Sequence, residues 1–322
     1  MIKKLLIFVL FAHLLGCKSN VLDKPIVTVS ILPQKYFVER IAGNAFEINV
    51  MIDPGMNPTS CDFSISKMKK LSNSKVCFTM GSLPFEIVQL YPVLKDLEAV
   101  KMVRHDVGME LLEAVCGCGH VHVEEHDCVY GCTHEHEHDC EHGCTHEHEH
   151  DCTHDHATEN KDLHKGTDPH IWMSIENARQ IAEDMLIFLS EILPSKSEEF
   201  KNEYKKLLSD IDALEVEADK VFAKLEDKSF LIYHPALTYF ADDYGLEQIA
   251  IEEDGKEPSP THIKSILNEA REKNIKNLFI QAQFDVVNAK NIANELNITP
   301  TVVDPLSADW LGEMKNLINL FK

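Results

Sequence analysis

The chain has 322 residues, with 53 acidic side chains against 31 basic ones and a formal charge of −22. Its 44% hydrophobic content is that of a folded globular protein, and the length suits two domains. So acidic a chain excludes a nucleic-acid partner, which needs clustered Lys and Arg, and favours cations instead. Its 18 His and 10 Cys, most of them crowded into one short stretch, point the same way.

Residues 1–16 carry Lys3 and Lys4, an apolar run from Leu5 to Leu15, and Gly16. This is the pattern of an export signal, too short to stay in a membrane as a spanning helix. The ending Leu14-Leu15-Gly16-Cys17 resembles a bacterial lipobox. The resemblance implies cleavage before Cys17, lipidation of its thiol, and a mature protein tethered outside the cytoplasm, on the periplasmic or the surface side.

After the signal, short β-rich runs alternate with helical patterns. Ile26–Ser30, Glu47–Ile52, Lys75–Met80 and Ala99–Val103 read as strands, and Gln34–Ile41, Ile65–Ser72 and Pro84–Tyr91 as helices. Together they make an N-terminal α/β lobe over residues 17–115, completed by 165–193.

Residues 116–164 interrupt this lobe. They hold 13 of the His and 7 of the Cys, and no Lys or Arg occurs between Arg104 and Lys161. A period of 12 residues begins at His126, repeats at His138 and breaks off after His150. Such a segment cannot bury an apolar core, and we expect a loop that is disordered without metal. Imidazole and thiolate are the ligands that borderline and soft transition metals prefer, so His134, His136, His138, Cys140, His146, His148, His150 and Cys152 are candidate loop ligands. Disulfides compete in an oxidising compartment, but seven cysteines cannot all pair with one another, and Cys116-Gly-Cys118 is spaced for metal. Zn2+ leads, with Mn2+, Ni2+, Cu+ and cadmium as alternatives.

Beyond the tract, Ser174–Leu193 reads as one helix, and Ser195 with Glu198 reads as a capping box. That box would open a long linker helix within residues 194–227, with an apolar stripe from Phe200 to Leu225. The strands Phe230–Tyr233, Gln248–Glu252, Asn277–Ile280 and Pro300–Val303 follow. Helices at Ser259–Lys273, Val286–Leu296 and Leu306–Phe321 complete a C-terminal α/β lobe over 228–322. The expected fold class is α/β: two lobes, each a parallel β-sheet flanked by helices, joined by one long backbone helix.

In open parallel sheets, ligands bind beyond the carboxyl ends of the strands. His234, Gln281 and Asp304 each follow a strand directly, Thr59 lies in the turn-rich segment after Glu47–Ile52, and His170 stands where a helix begins. Their joint placement marks a cleft. Asp304 could equally be an ordinary turn residue before Pro305. His105 reads as a surface histidine, His262 as a helix-entry residue, and Cys77 as a small buried one.

These residues sit in motifs that resemble the metal-binding solute receptors of ABC importers, the zinc/manganese class called ZnuA-like or TroA-like. The matching stretches are Pro54-Gly-Met-Asn-Pro58, Asp168-Pro-His-Ile-Trp172, Tyr233-His-Pro-Ala-Leu-Thr-Tyr-Phe240, Glu257-Pro-Ser-Pro260, Gln281-Ala-Gln-Phe284 and Asp304-Pro-Leu306. The resemblance implies metal ligands at His170, His234 and Asp304, a membrane permease as partner, and zinc over manganese, because a histidine stands at 234. It also implies a histidine at position 59, where this chain has Thr59. Water, Cys61, Asp62 or a tract histidine is then expected to complete the shell.

The expected function is a lipid-anchored receptor that captures Zn2+ between two lobes and hands it to an importer, with the tract collecting metal. Binding is expected to weaken below about pH 6, since histidine must lose a proton to coordinate. The alternative is a metal-storage or adhesin lipoprotein uncoupled from import. No His-Glu-x-x-His helix or Gly-x-Ser-x-Gly elbow supports a hydrolase, and the chain is not expected to be an enzyme.

Overall fold

The computed structural model describes residues 24–56, 63–114, 166–253, 255–281, 283–284 and 287–322. Cys17, Thr59, Cys61, Asp62 and the whole 116–164 tract, with its candidate ligands, lie outside the described residues.

Two α/β lobes are present, as the alternation of strands and helices predicts. In the first, β1 (Ile26–Val29), β2 (Glu47–Val50), β3 (Ser74–Thr79) and β4 (Lys101–Arg104) pair in parallel in the order β2-β1-β3-β4. Helices α1 (Leu32–Ala42), α2 (Ile65–Ser72) and α3 (Tyr91–Lys95) connect them. In the second, β5 (Ser229–Ile232), β6 (Glu247–Ala250), β7 (Leu278–Gln281) and β8 (Thr301–Val303) pair in parallel in the order β6-β5-β7-β8. Between the lobes run α4 (Ile175–Ile192) and α5 (Ser197–Phe222). The C-terminal lobe carries α6 (Thr238–Tyr244), α7 (Pro260–Glu272), α8 (Val287–Leu296) and α9 (Trp310–Leu320). Among the described residues no helix is long and apolar enough to cross a membrane.

The central strands β5 and β7 are nearly continuous buried runs because both faces of their sheet are covered. In β5 and β7, Phe230, Ile232 and Phe279 face the core shared with the first lobe. Leu231, Leu278 and Ile280 face a second core under α7 and α8. Alternation with period two sends successive side chains into these two cores. The shared core runs through α5, whose buried face is Phe200, Leu207, Ile211, Leu214, Ala218 and Phe222. At 1.5 Å per residue this helix is about 39 Å long, enough to lie along both lobes. It packs against α1 and α4 on one side and α9 on the other.

Several sequence expectations need correction. The long helix opens at Ser197, with no side-chain cap, after a 3₁₀ turn at Pro194–Lys196 that absorbs Ser195, so the Ser195/Glu198 box does not form. It stops at Phe222, because Ala223–Lys228 buries nothing fully. The predicted helix at Pro84–Tyr91 is present but takes π register over Glu86–Leu90 before running into α3, where Pro92 has no N–H for the preceding turn. The last helix begins at Trp310 rather than Leu306, where the Asp309 carboxylate accepts from Gly312 N. Helix α6 is additional, a short element ended by Gly245 in the left-handed conformation. His105 is not a surface residue. It is fully buried, stacked on Phe78 at 5.6 Å with Nδ1 2.9 Å from Asp184, because α4 covers the edge strand that precedes it. Cys77 is buried and His262 sits in the first turn of α7, as expected.

At the carboxyl ends of β1 and β3 the chain folds around one buried acid. Glu86 is fully buried and accepts from Met80 N and Gly81 N, both at 2.8 Å. Gly81 has φ 113°, and a Cβ there would collide with the Asp106 carboxylate, so this loop requires glycine. Burial pushes the Glu86 carboxyl up to about 7, against the lowering effect of Ser30 and the two backbone N–H groups. A raised acid penalises folding progressively as pH climbs from the unfolded carboxylate range to the folded value. Relative to wild type, Glu86→Gln should therefore gain stability between pH 5 and pH 8, on the order of 2–3 kcal/mol. Urea unfolding at both pH values checks this, and a wild-type-to-variant difference that does not change with pH contradicts it.

Candidate metal centre

His234 leaves the end of β5, beside β7, at the point where strand order reverses within the second sheet. Gln281, the last residue of β7, holds it there. The Gln281 amide donates to the His234 carbonyl at 2.6 Å and accepts from His234 N at 3.3 Å. Gln281 thus positions the histidine backbone and is itself buried. On the imidazole, Nδ1 lies 2.7 Å from Glu252 Oε1, and Phe284 stacks on the ring at 4.9 Å and 21°. Glu252 follows β6, the strand next to β5, and is buried.

His170 reaches the same point from the first lobe. It precedes a 3₁₀ turn at Ile171–Met173 that leads into α4. Asp168 Oδ1 accepts from both His170 N at 2.8 Å and His170 Nδ1 at 2.9 Å. Asp168 Oδ2 accepts from the Thr238 hydroxyl at 2.6 Å, and that hydroxyl accepts from Gln248 Nε2 at 2.9 Å. Burial raises the Asp168 carboxyl, but the His170 ring and the hydrogen bonds from His170 and Thr238 outweigh it and hold the group below the usual carboxylate range.

The segment carrying His170 is riveted to the second lobe. Tyr239 OH donates to the Asp168 carbonyl at 3.0 Å, Trp172 Nε1 donates to the Pro305 carbonyl at 2.7 Å, and Trp310 Nε1 donates to the Trp172 carbonyl at 2.7 Å. Asp243 on α6 accepts from Ser174 Oγ and Ile175 N at the start of α4. The second lobe therefore fixes the first lobe's histidine.

The two imidazoles meet edge to face, with Nε2 of His170 3.3 Å from Nε2 of His234. A carboxylate only accepts, so each Nδ1 carries a proton, and in its neutral form each ring presents a bare lone pair at Nε2. Two lone pairs at this separation repel unless a cation lies between them. A zinc ion bonded to both at about 2.0–2.1 Å with tetrahedral angles would hold them about 3.3–3.4 Å apart.

Asp304 does not join this pair. Its Oδ1 accepts from Gln283 Nε2 at 2.8 Å and from Leu306 N at 3.2 Å, the second bond closing the turn that follows β8. Among the described residues no group of three or more His, Cys, Asp and Glu converges on one point. Sequence reasoning missed Asp168, Glu252, Thr238 and Gln283. Glu252 was within reach of the strand-end rule, but placing it beside His234 requires the order of strands in the sheet.

The fold and this interlobe pair define a two-lobed receptor of the kind that grips a small ligand between α/β domains. The family model for zinc-uptake complex component A, periplasmic (ZnuA), matches residues 27–322, and the chain belongs to that family. The zinc-binding protein AdcA of Streptococcus pyogenes is 26% identical over 316 residues, covering 96% of this chain and 56% of that protein. The chain thus spans about half the length of the curated relatives it matches. The crystal structure of ZnuA superposes with a TM-score of 0.74 at 24% identity, covering 92% of this chain and 97% of the other. A ZnuA deletion mutant with zinc bound gives 0.72 at 25% identity, covering 92% of this chain and 96% of the other.

Partners of metal-binding imidazoles tune ligand basicity and ring orientation, and losing one typically costs about 10- to 100-fold in metal affinity. Glu252→Gln keeps the shape but removes the charge on His234 Nδ1. Competition of zinc against a chelator of known affinity should show about a tenfold loss. An unchanged affinity would mean that Glu252 does not tune the site.

Proposed function

We propose that this chain is an extracytoplasmic solute-binding protein, lipid-anchored at Cys17, that captures Zn2+ between its lobes and delivers it to an ABC-type importer. The observation that carries the reading is the Nε2 pair of His170 and His234, one from each lobe, at a tetrahedral zinc spacing. Membership of the zinc-uptake family and the zinc-binding names of its relatives support the metal and the importer.

In this reading His170 and His234 supply neutral imidazole nitrogen, while Asp168 and Glu252 keep each Nδ1 protonated and aim each ring. Asp304 stands by as a carboxylate on the second lobe. Cys61, Asp62, a tract histidine or water is expected to complete the shell. Residues 116–164 act as a collector, their histidines, cysteines and carboxylates raising the local cation concentration. Holding the metal across the lobes couples its presence to the relation between them, which a permease can read. A family match extending from 27 to 322 supports an interlobe capture site over storage in the tract alone.

Anaerobic zinc titration with metal counting by mass, on the chain lacking 1–16 and on its His170→Ala/His234→Ala variant, tests the proposal. One tight site should disappear while weaker tract sites survive. An unchanged curve would make the tract the metal site, and storage would replace transport.

A further inference from the structure

We infer that Gln283 sets the metal affinity of the cleft by holding the Asp304 carboxylate on the C-terminal lobe, off the imidazole pair. The inference rests on the reading of His170 and His234 as ligands. The two described residues of the β7–α8 connection each grip one candidate group. Phe284 stacks on the His234 ring, and Gln283 Nε2 donates to Asp304 Oδ1 at 2.8 Å.

The same Oδ1 also accepts from Leu306 N at 3.2 Å, and the Asp304 backbone is tied by its own N–H to Glu313 Oε1 at 2.9 Å. The carboxylate is thus tied to its own lobe by two bonds and its backbone by a third, and it is not grouped with the histidines. Of the three bonds, two involve backbone of the β8–α9 turn. The third comes from a half-exposed side chain on a different connection, so it can be lost without unfolding the turn.

Turning Asp304 Oδ1 toward a cation on the two Nε2 atoms would break the Gln283 bond together with the Leu306 bond on the same oxygen. An amide donating to a carboxylate is a charge-assisted bond, and such a bond weighs about tenfold or more in an equilibrium. Gln283 therefore works as a latch. While it is closed, two imidazoles hold the metal, and the carboxylate remains in reserve. When it opens, a third protein ligand with a negative charge is added. A receptor that must also release its cargo has a use for such a brake, and a chain with threonine at position 59 has a use for the reserve.

The test uses the full chain, zinc competed against a chelator strong enough to strip the weaker sites, and Co(II) as a spectroscopic stand-in. Gln283→Ala should bind zinc about tenfold more tightly. It should also change the visible Co(II) spectrum by adding an oxygen ligand. Both effects should vanish in Gln283→Ala/Asp304→Asn. Equal or weaker zinc binding by Gln283→Ala, or a gain that survives in the double variant, overturns the inference. His170→Ala, measured alongside, loses the tight site if the cleft reading holds. If it retains the site, the cleft reading falls and takes the latch with it. A failed latch with the cleft intact shows as lost binding in His170→Ala and no gain in Gln283→Ala.

Discussion

Two carboxylate–imidazole pairs decide the chemistry of this protein. Asp168 and Glu252 each accept from a histidine Nδ1, and that leaves two Nε2 lone pairs facing each other across the lobes at 3.3 Å. Without the carboxylates either ring could turn or take the other tautomer, and the pair could satisfy itself with one N–H···N bond. With both Nδ1 positions committed, the contact is resolved by a metal ion or by one added proton shared as N–H···N. Most of the other polar geometry near the cleft holds these four groups in place.

The architecture explains how so precise a contact is held between two lobes. Parallel order with a central reversal puts His234 and Gln281 side by side at the ends of β5 and β7. The apolar core does not stop at the lobe boundary. It runs from the first sheet through α5 to Phe230, Phe279 and Phe321. The Trp172–Pro305 and Trp310–Trp172 bonds close the boundary beside the histidines. Through the Gln248–Thr238–Asp168 chain, the second lobe even orients the first lobe's histidine. Relative motion of the lobes and orientation of His170 are therefore coupled.

Much of this was legible in the residues. β-rich runs placed the eight strands of the described residues within about a residue or two, and the strand-end rule picked out His234, Gln281 and Asp304. What sequence could not carry was lateral order. Glu252 becomes a partner of His234 only because β6 lies next to β5, and His105 is buried only because α4 crosses its edge strand. Asp304 shows the opposite limit. Its position after a strand was readable, but the Gln283 amide that holds it comes from a connection with no periodicity. The Ser195/Glu198 box matched a local pattern and lost to the turn begun by Pro194. Local rules identified the candidate ligands, while tertiary neighbours determined what each one does.

In the proposed reading the tightest metal on this chain sits between the two imidazoles. X-ray absorption at the zinc edge, on the chain loaded with one equivalent, addresses it directly. Two imidazole nitrogens at about 2.0–2.1 Å, with oxygen completing the shell, is the predicted result. A shell with sulfur scatterers at about 2.3 Å and no pair of imidazoles would place the metal in the cysteines and contradict the account.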